Sequence, residues 1–393
     1  MSVQVENIVE YEDSMSFNIR NVETCLVNSL RRTCLSNIEC LVFKGFPHNE
    51  SSINIIKNTT NFNNEYLKHR ISCIPIMNRN VSEFQQFKEN YKIVLDVKSK
   101  KYNESQEKVY VTTDDIVIIN KNSGNALPKE ETEKLFPRNI YSDNHILICV
   151  LYPNHNINDD NIEELHLEAE FEIGCAAQNS CWNVVHNCTY EFLRNEEEIA
   201  KIANTIEDKS ERKDFEILDA QKHYYQNEYK MTIQSLGIFT NREIMQKCCQ
   251  YIIKKLELII QYSSDNEMSK VQTKDEFISS STDGTKTMEE LEESNNSYCN
   301  IYLEGDFFVF ELKEDDYTIG KLIEVYLYKN NEDVLDFVGF KKQHPIQPDA
   351  HIYIHFKNSQ NIRQNNSIFA LVNDVAQKLI AIFQNIQTQF ITN

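Results

Sequence analysis

The sequence is poor in glycine, with eight residues in 393, and its eleven cysteines include no Cys-x-x-Cys pair. An odd number of cysteines without such pairs is typical of reduced thiols in an intracellular protein, not of a disulfide framework or a zinc site. The chain also lacks a recognisable secretory signal and any uncharged apolar run of membrane-spanning length. We therefore expect an intracellular protein that does not span a membrane.

Basic residues are also fewer than acidic residues. The chain has 40 Lys and Arg against 60 Asp and Glu, a formal net charge of −20. A surface this acidic repels phosphate, which disfavours binding to nucleic acid or to an anionic membrane. Lys341-Lys342 is the densest basic spot near an aromatic residue, and it is too small to reverse that balance. Contact with protein partners is the better expectation.

No group of residues has the spacing of an enzyme active site. Cys181 and His186 are close in sequence, but nothing around them would activate a thiol nucleophile. Gly320-Lys321 lacks the upstream glycine of a phosphate-binding loop. Three aspartate pairs lie in turn-like contexts without the further carboxylate that two-metal catalysis would need: Asp114-Asp115, Asp159-Asp160 and Asp315-Asp316. We predict no catalytic residue, no cofactor and no metal ion.

An amphipathic helix is predicted over residues 21–36, with Asn21 as its N-cap. Arg31 and Arg32 near its C-terminal end point about 100° apart, so one can flank the buried stripe while the other reaches out. An ordinary helix with two solvated arginines is the alternative. The stripe recurs at four-residue steps: Val22, Leu26, Leu30 and Cys34.

The remaining elements are predicted from periodicity and turn signals. Residues 3–20 indicate two short strands, residues 80–220 are rich in strand patterns, and a strand at 229–235 precedes a long helix capped at Thr240. Residues 263–298 are acidic and poor in large apolar side chains, which predicts a flexible linker with ends about 35 Å apart. Beyond it we expect two strands over 301–312, a helix at 316–327, strands at 334–340 and 351–356, and a long closing helix.

The two ends of the chain resemble each other. Leu26 and Leu30 match Ile319 and Ile323 at an offset of 293 residues. The Phe-x-Gly-Phe motif at 43–46 matches the one at 337–340 at an offset of 294. This spacing predicts two copies of one domain, not an array of short repeats. Two like halves with apolar helices favour a pseudo-twofold pair that packs helix against helix.

These motifs together resemble the assembly subunits of multisubunit RNA polymerases. The first part of the chain is similar to the third-largest subunit of eukaryotic RNA polymerase II, to its D-type counterpart in archaea and to the N-terminal part of bacterial alpha. Residues 301–391 resemble the smaller partner, which is the eleventh subunit or its L-type counterpart in archaea. The resemblance rests on these segments: Asn28-Ser-Leu-Arg-Arg32, Asn58-Thr-Thr60, His69-Arg70-Ile71, Asp115-Ile-Val-Ile-Ile119, Gly174 to Trp182, Glu314-Asp-Asp-Tyr-Thr-Ile-Gly320 and Gly339-Phe-Lys-Lys-Gln-His-Pro345.

The resemblance implies an α+β fold in which two alpha-N-terminal-like dimerisation domains form an intramolecular pseudo-heterodimer. The first would be split over 1–46 and 222–261 by a mostly β insertion domain at 47–221. An acidic linker at 262–299 would lead to the second domain at 300–393. Fusions of this kind are familiar from large cytoplasmic DNA viruses, so the expected location is the cytoplasm, in a viral factory or virion, with the nucleus as the alternative.

The implied function is a non-catalytic platform on which the largest and second-largest polymerase subunits assemble for transcription. Small zinc-bearing subunits would be further partners, and DNA would be reached only through the complex. A free-standing dimerisation or adaptor protein outside a polymerase is the alternative. The expected partner-contact residues are Arg31, Arg32, His69, Arg70 and Trp182. The expected pseudo-dimer interface consists of Leu26, Leu30, Ile252, Leu256, Ile319, Ile323, Val375, Leu379 and Phe383.

Three departures from the family pattern limit what the resemblance implies. Residues 80–91 contain no cysteine, where the nuclear subunit carries a zinc loop. Asn179 and Cys181 stand where the family has His and Lys, and Glu324 stands where the smaller partner usually has arginine. Because the resemblance implies that Arg32 faces the second-largest subunit, Arg32→Glu is expected to weaken capture of that subunit while leaving thermal stability nearly unchanged.

Overall fold

The computed structural model describes residues 3–78, 80–100, 107–153, 162–266, 271–274, 298–357 and 366–392. The strands in these ranges are β1 (Gln4–Glu10), β2 (Ser14–Arg20), β3 (Cys40–Val42), β4 (Ile53–Asn58), β5 (Tyr91–Lys98), β6 (Val109–Thr112), β7 (Val117–Asn120), β8 (Leu147–Leu151), β9 (Glu164–Glu170), β10 (Glu172–Gly174), β11 (Val185–Arg194), β12 (Tyr224–Ser235), β13 (Cys299–Glu304), β14 (Phe307–Leu312), β15 (Leu335–Lys341) and β16 (Ala350–Phe356).

The helices in the same ranges are α1 (Thr24–Ser36), α2 (Asn64–Ser72), α3 (Phe84–Asn90), α4 (Lys129–Leu135), α5 (Glu196–Thr205), α6 (Lys209–Asp214), α7 (Asn241–Asp265), α8 (Tyr317–Asn330) and α9 (Asn366–Thr392). None of them combines the length and the apolar character that crossing a membrane requires. Helices and sheets are thus mixed in one chain, in agreement with the predicted fold class.

The chain divides into two compact units. Unit 1 contains Met1–Cys34, Asn187–Gln234 and Asn241–Asn393, and unit 2 contains Leu35–His186 and Ser235–Thr240. These limits differ from the predicted domain limits at 46/47 and 221/222. Strand β3 was expected in the first dimerisation domain, but it pairs with β10 within unit 2. All of β11 was expected in the insertion domain, but most of it belongs to unit 1, where it pairs into the sheet β1-β2-β12-β11.

Unit 1 contains two four-stranded antiparallel sheets with the same strand order. The first half, comprising β1, β2, α1, β11, β12 and α7, has the order β1-β2-β12-β11. The second half, comprising β13 to β16, α8 and α9, has the order β13-β14-β16-β15. In each half a hairpin leads into a shorter helix, and the last strand leads into a long helix. This shared topology supports the predicted duplication.

The match between the two Phe-x-Gly-Phe motifs has no counterpart in the structure. In sheet order β15 corresponds to β11, so the motif at 337–340, which lies on β15, has no counterpart at 43–46. Phe43 follows β3 in unit 2 and is fully buried, whereas the side chain of Phe337 is 49% exposed. The match at offset 294 is therefore a coincidence of sequence, since the two motifs occupy different places in the fold.

The start of α1 also differs from the prediction. The helix begins at Thr24, and the carbonyl of Glu23 accepts the amide of Val27, so Glu23 and not Asn21 precedes the first turn. Asn21 has a φ of 61°, a left-handed conformation that asparagine tolerates better than most residues. Asn21 therefore serves the turn between β2 and α1.

The ends of the predicted linker are ordered parts of the fold. Helix α7 runs to Asp265, and the hydroxyl of Tyr262 accepts the backbone N–H of Ile301, which lies in β13. Thr273 forms a parallel bridge with Leu303. Residues 267–270 and 275–297, which make up most of the predicted linker, lie outside the described residues.

Unit 2 is built on the antiparallel sheet β4-β9-β5-β7. Along β9 the apolar residues Leu165, Leu167 and Ala169 are buried, so the predicted alternation is present. The glutamates on the opposite face of β9 form ion pairs with lysines of neighbouring strands, for example Lys92 with Glu168 at 2.8 Å. This face stays polar, while the other face packs into the core of the unit.

The single tryptophan, Trp182, is fixed by close packing in unit 2. It lies in the 3-10 turn Ser180–Trp182, is 8% exposed, and its indole N–H donates to the carbonyl of Ser72 at 3.2 Å. A Cβ placed on Gly174 would lie 2.7 Å from the ring and 3.0 Å from a methyl group of Val42. Glycine is required at position 174 because the indole occupies the space of a side chain.

We predict that Gly174→Ala lowers the free energy of unfolding by about 1–3 kcal/mol, because overpacking forces the indole or β3 to move. Unfolding in urea monitored by the fluorescence of the one tryptophan measures this directly. Gln85→Ala, on an exposed side chain of α3, is the control and is expected to change stability by less than about 0.5 kcal/mol. Equal stability of the two variants would show that Trp182 has room to relax.

Candidate functional site

The predicted interface residues lie on four helices of unit 1, and every one of them is fully buried. Each has zero exposure: Leu26, Leu30, Ile252, Leu256, Ile319, Ile323, Val375, Leu379 and Phe383. Helices α7 and α9, which belong to different halves, pack against each other along their length, and α8 contacts both. The apolar stripes of the two halves thus form one core.

The long helices reach across to the opposite sheet in a reciprocal way. Near the end of α7, Tyr262 accepts the backbone N–H of Ile301 on β13 at 2.9 Å. Near the end of α9, the side-chain oxygen of Gln389 accepts the backbone N–H of Val5 on β1 at 2.7 Å. In each half the target is the first strand of the sheet, at its edge. Each half therefore hydrogen-bonds the edge strand of the other.

Ring packing adds an apolar contact at one of these places. Phe390 on α9 meets Phe17 on β2 edge to face, with ring centroids 5.0 Å apart. Both rings are at most 1% exposed. Edge-to-face pairs of buried aromatic rings contribute about 0.5–1.5 kcal/mol beyond their area burial.

Helices α1 and α8 are joined by an ion pair at each end. The Arg32 guanidinium, near the C-terminus of α1, pairs with Asp316 before the first turn of α8 and donates to the Thr318 hydroxyl at 3.1 Å. At the opposite end Lys329, near the C-terminus of α8, pairs with Glu23 before α1 at 2.6 Å. The two helices therefore run antiparallel, with acids at both N-termini and bases at both C-terminal ends, which also suits the helix dipoles.

Glu23 and Asp316 occupy equivalent positions in the two halves. They are separated by the same 293 residues that separate Leu26 from Ile319. The carbonyl of Glu23 accepts the N–H of Val27, and that of Asp316 accepts the N–H of Gly320, so each precedes the first turn of its helix. The acids of the two ion pairs are thus equivalent, whereas their bases are not: Arg32 lies nine residues after Glu23, and Lys329 lies thirteen residues after Asp316.

Asp316 is an ion-pair partner and an N-cap at once. Its carboxylate accepts the backbone N–H of Thr318 at 2.8 Å and the hydroxyl of the same residue at 2.7 Å. Partial burial would raise the pKa of Asp316, but these hydrogen bonds and the Arg32 guanidinium hold it below its usual range. The carboxylate is therefore ionised at neutral pH.

The neighbouring Asp315 anchors a second polar contact between the halves. Its side chain is 7% exposed, accepts the hydroxyl of Tyr298, and lies 3.9 Å from the Lys255 ammonium of α7. The same ammonium lies 4.3 Å from the centre of the Tyr298 ring. Burial raises the pKa of Asp315, although Tyr298 and Lys255 oppose that shift. First-half helix α7 is thereby bound to the segment that starts α8.

The predicted partner-contact residues have different surroundings. Arg32 is engaged by Asp316 and Thr318, so Arg32→Glu would place a carboxylate opposite Asp316, and on this geometry we expect the substitution to lower stability. Arg31 is half-buried and donates to the side chain of Asn28 at 2.9 Å. His69 is exposed at the end of α2.

Arg70 and Trp182 stabilise unit 2 internally. The Arg70 guanidinium donates to the carbonyls of Ile148 at 2.8 Å and Leu147 at 2.7 Å, both on β8. Trp182 lines a cleft of about 340 Å³ with Lys44, Phe46 and other residues of the unit. The structure thus brings the interface residues together in unit 1, whereas the predicted partner-contact residues are divided between the two units.

Glu324, which stands where the smaller partner usually has arginine, makes its contacts within the second half. Its carboxylate accepts the backbone N–H of Phe340 on β15 at 3.1 Å and pairs with Lys321. Its side chain is only 16% exposed. The acid at position 324 therefore ties α8 to the edge of its own sheet.

Sequence reasoning missed the acids and amides that align the halves. Glu23 could have been found by extending the offset of 293 residues by one more turn of the helix. Gln389 and Tyr262 carry no such signal, because a polar residue at the end of a long helix is common on any solvated face. Within the described ranges, no cluster of His, Cys, Asp or Glu is placed to hold a metal ion.

We predict that Asp316→Ala destabilises the chain more than Asp316→Asn, because asparagine keeps the N-cap acceptor and loses only the charge. The half-exposed ion pair should account for less than about 1 kcal/mol, and loss of the cap for about 1 kcal/mol more. Urea unfolding of both variants, with and without Arg32→Ala, gives the coupling between the two side chains. Zero coupling, with equal effects of alanine and asparagine, would contradict both roles.

Two family models match the chain, one on each side of residues 267–297. The model for the RNA polymerase Rpb3/Rpb11 dimerisation domain matches residues 16–256, and a second model of the same description matches residues 308–389. DNA-directed RNA polymerase subunit Rpo3 of Methanobrevibacter smithii is 20% identical over 291 residues, covering 67% of this chain and 98% of that protein. Because the first match spans more than half of the sequence, the chain belongs to the RNA polymerase Rpb3/Rpb11 dimerisation-domain family.

Proposed function

We propose that this chain is a non-catalytic assembly subunit of a DNA-directed RNA polymerase. Its two halves act as an intramolecular pseudo-heterodimer on which the largest and second-largest subunits assemble. The two separate matches to the dimerisation-domain family support this proposal, as does the similarity to an Rpo3 protein. Smaller zinc-bearing subunits are further proposed partners, and DNA is reached only through the assembled complex.

The observation that carries the proposal is the reciprocity of the contacts between the halves. The same edge strand, the same helix start and the same long helix are used twice, once in each direction. A chance association of two domains would not repeat its contacts in this way, whereas a duplicated pair related by a pseudo-twofold axis must. The fused chain thus carries both members of a dimer.

Fusion changes the thermodynamics of such a pair. Two separate subunits would lose affinity on dilution, but a tether makes their association intramolecular, with an effective concentration set by the linker. Residues 267–297 separate the two halves in sequence, and the matched family regions end and begin on either side of them. The platform therefore forms at a fixed one-to-one ratio of its halves.

The arrangement of charge supports contact with protein, not with nucleic acid. The chain carries a net charge of −20, and Arg32 and Arg70 are engaged in internal contacts. His69 and the half-buried Arg31 remain the proposed partner contacts. In keeping with the reduced thiols, we propose a cytoplasmic location, in a viral factory if the chain is viral, with the nucleus as the alternative.

The proposal is tested by measuring how well the purified full-length chain captures the two largest polymerase subunits. The wild-type chain is compared with two variants, Leu379→Asp and Gln377→Asp. Leu379 is fully buried between the halves and Gln377 is exposed on the same helix, so the two variants introduce one charge on opposite faces of α9. Burying an unpaired carboxylate costs several kcal/mol. We expect Leu379→Asp to lose capture and lower the melting temperature, while Gln377→Asp retains both.

The alternative is an adaptor that dimerises outside a polymerase. In that case the wild-type chain, with its helices intact by circular dichroism, would capture neither large subunit. Capture that persists in Leu379→Asp would instead show that the platform does not depend on pairing of the halves. The two results separate failure of the polymerase assignment from failure of the pseudo-dimer.

A further inference from the structure

Two pairs of cysteines bring their thiols together, and they differ in access to solvent. In unit 1 the sulfur atoms of Cys34 and Cys248 lie 3.0 Å apart, Cys188 also interacts with Cys34, and all three residues are buried. In unit 2 the Cys181 thiol lies 3.7 Å from the carbonyl oxygen of Ser72, the residue before Cys73; Cys73 is exposed and Cys181 half-buried. In each pair the two cysteines are more than 100 residues apart, so no sequence motif predicted that they would meet.

The fold holds the second pair in place from both sides. Cys73 is the C-cap of α2, where its backbone N–H bonds the carbonyl of His69. Cys181 lies in the 3-10 turn that also contains Trp182, and the side chain of Asn179 accepts its backbone N–H. The Cys181 thiol donates to the carbonyl of Ser72 at 3.7 Å, which is the residue before Cys73.

The carbonyl of Ser72 fixes the position of the turn that contains Cys181 relative to α2. It accepts the indole N–H of the buried Trp182 as well as the Cys181 thiol. The close packing of the indole on Gly174 leaves this turn little freedom to move away from α2. These contacts thus hold the Cys181 thiol at the C-terminal end of α2, next to Cys73.

We propose that Cys73 and Cys181 form an oxidation-sensitive dithiol that a low-molecular-weight disulfide converts into an intramolecular disulfide bond. The exposed Cys73, as thiolate, attacks one sulfur of the small disulfide, forms a mixed disulfide and releases one thiolate. The Cys181 thiol loses its proton to solvent and attacks the Cys73 sulfur, and the second small thiolate leaves. The two protein sulfurs lose two electrons in total, and the small disulfide gains them as two thiols.

The order of these steps follows from the surroundings of each sulfur. Burial and the neighbouring Cys73 raise the pKa of Cys181 to about 11, so it is the slower nucleophile and serves to resolve the mixed disulfide. The product would tie the C-terminus of α2 to the turn that positions Trp182. The crosslink would therefore stiffen unit 2 next to the cleft that Trp182 lines.

The buried pair is the natural control within the same molecule. Cys34 and Cys248 are closer than most thiol pairs, but a disulfide reagent cannot reach them without opening the core of unit 1. Burial also raises the pKa of Cys248, which lowers its thiolate fraction further. The two pairs therefore differ in their access to solvent.

The experiment exposes the folded full-length chain to oxidised glutathione, blocks free thiols at low pH, and maps the peptides by mass spectrometry without reduction. We expect a peptide that joins Cys73 to Cys181, and nine of the eleven thiols still free. Cys34→Ser should give the same crosslink. Cys181→Ser should instead accumulate glutathione on Cys73, because the resolving thiol is missing.

Trp182 fluorescence verifies that each variant is folded. Glutathione that stays on Cys73 in the wild-type chain, with Cys181 free, would overturn the proposal. A crosslink between Cys34 and Cys248 that forms first in the folded chain would overturn it as well. Addition of dithiothreitol should restore all eleven thiols in the wild-type chain.

Discussion

The structure of unit 1 depends on the need of each half to cover its apolar helices with the other half. The buried stripes of α1, α7, α8 and α9 meet in one core, and α7 packs on α9 along its length. Burial of an aliphatic side chain contributes about 1.5–3 kcal/mol relative to exposure, so a half on its own would expose faces worth many times that amount. The antiparallel sheets can leave one face to solvent, but the apolar stripes of the helices cannot remain exposed.

Apolar burial does not fix how the two halves are aligned, because an aliphatic stripe can slide by a turn at modest cost. The polar contacts at the ends remove this freedom. Arg32 meets Asp316 at one end of the α1/α8 pair, and Lys329 meets Glu23 at the other. A shift of one turn would break both pairs and would also separate Gln389 from the edge of β1. Individually weak and partly exposed contacts therefore set the register of a strong apolar interface.

The sequence permitted prediction of the helices and their buried faces, since the stripe through Leu26 and Leu30 follows helical periodicity and its echo at Ile319 and Ile323 does too. It did not permit prediction of the partner of Arg32, because that contact joins residues 284 positions apart. The sequence match of the motif at 43–46 was misleading for a related reason: local patterns of aromatic residues and glycine recur in unrelated places. The limits of the two units also could not be read from the sequence, since β3 and β11 are assigned by pairing with distant strands.

The internal use of charge constrains where partners can bind. The sequence suggested that Arg32 and Arg70 contact partner proteins. In the structure both guanidinium groups instead donate hydrogen bonds to other residues of the same chain. The charge reversal at Glu324 has the same explanation, because its carboxylate satisfies a strand amide. His69 and Phe46 of unit 2 are exposed instead, Phe46 to 75% beside the cleft at Trp182. The charged side chains that align the halves are therefore distinct from the exposed residues of unit 2.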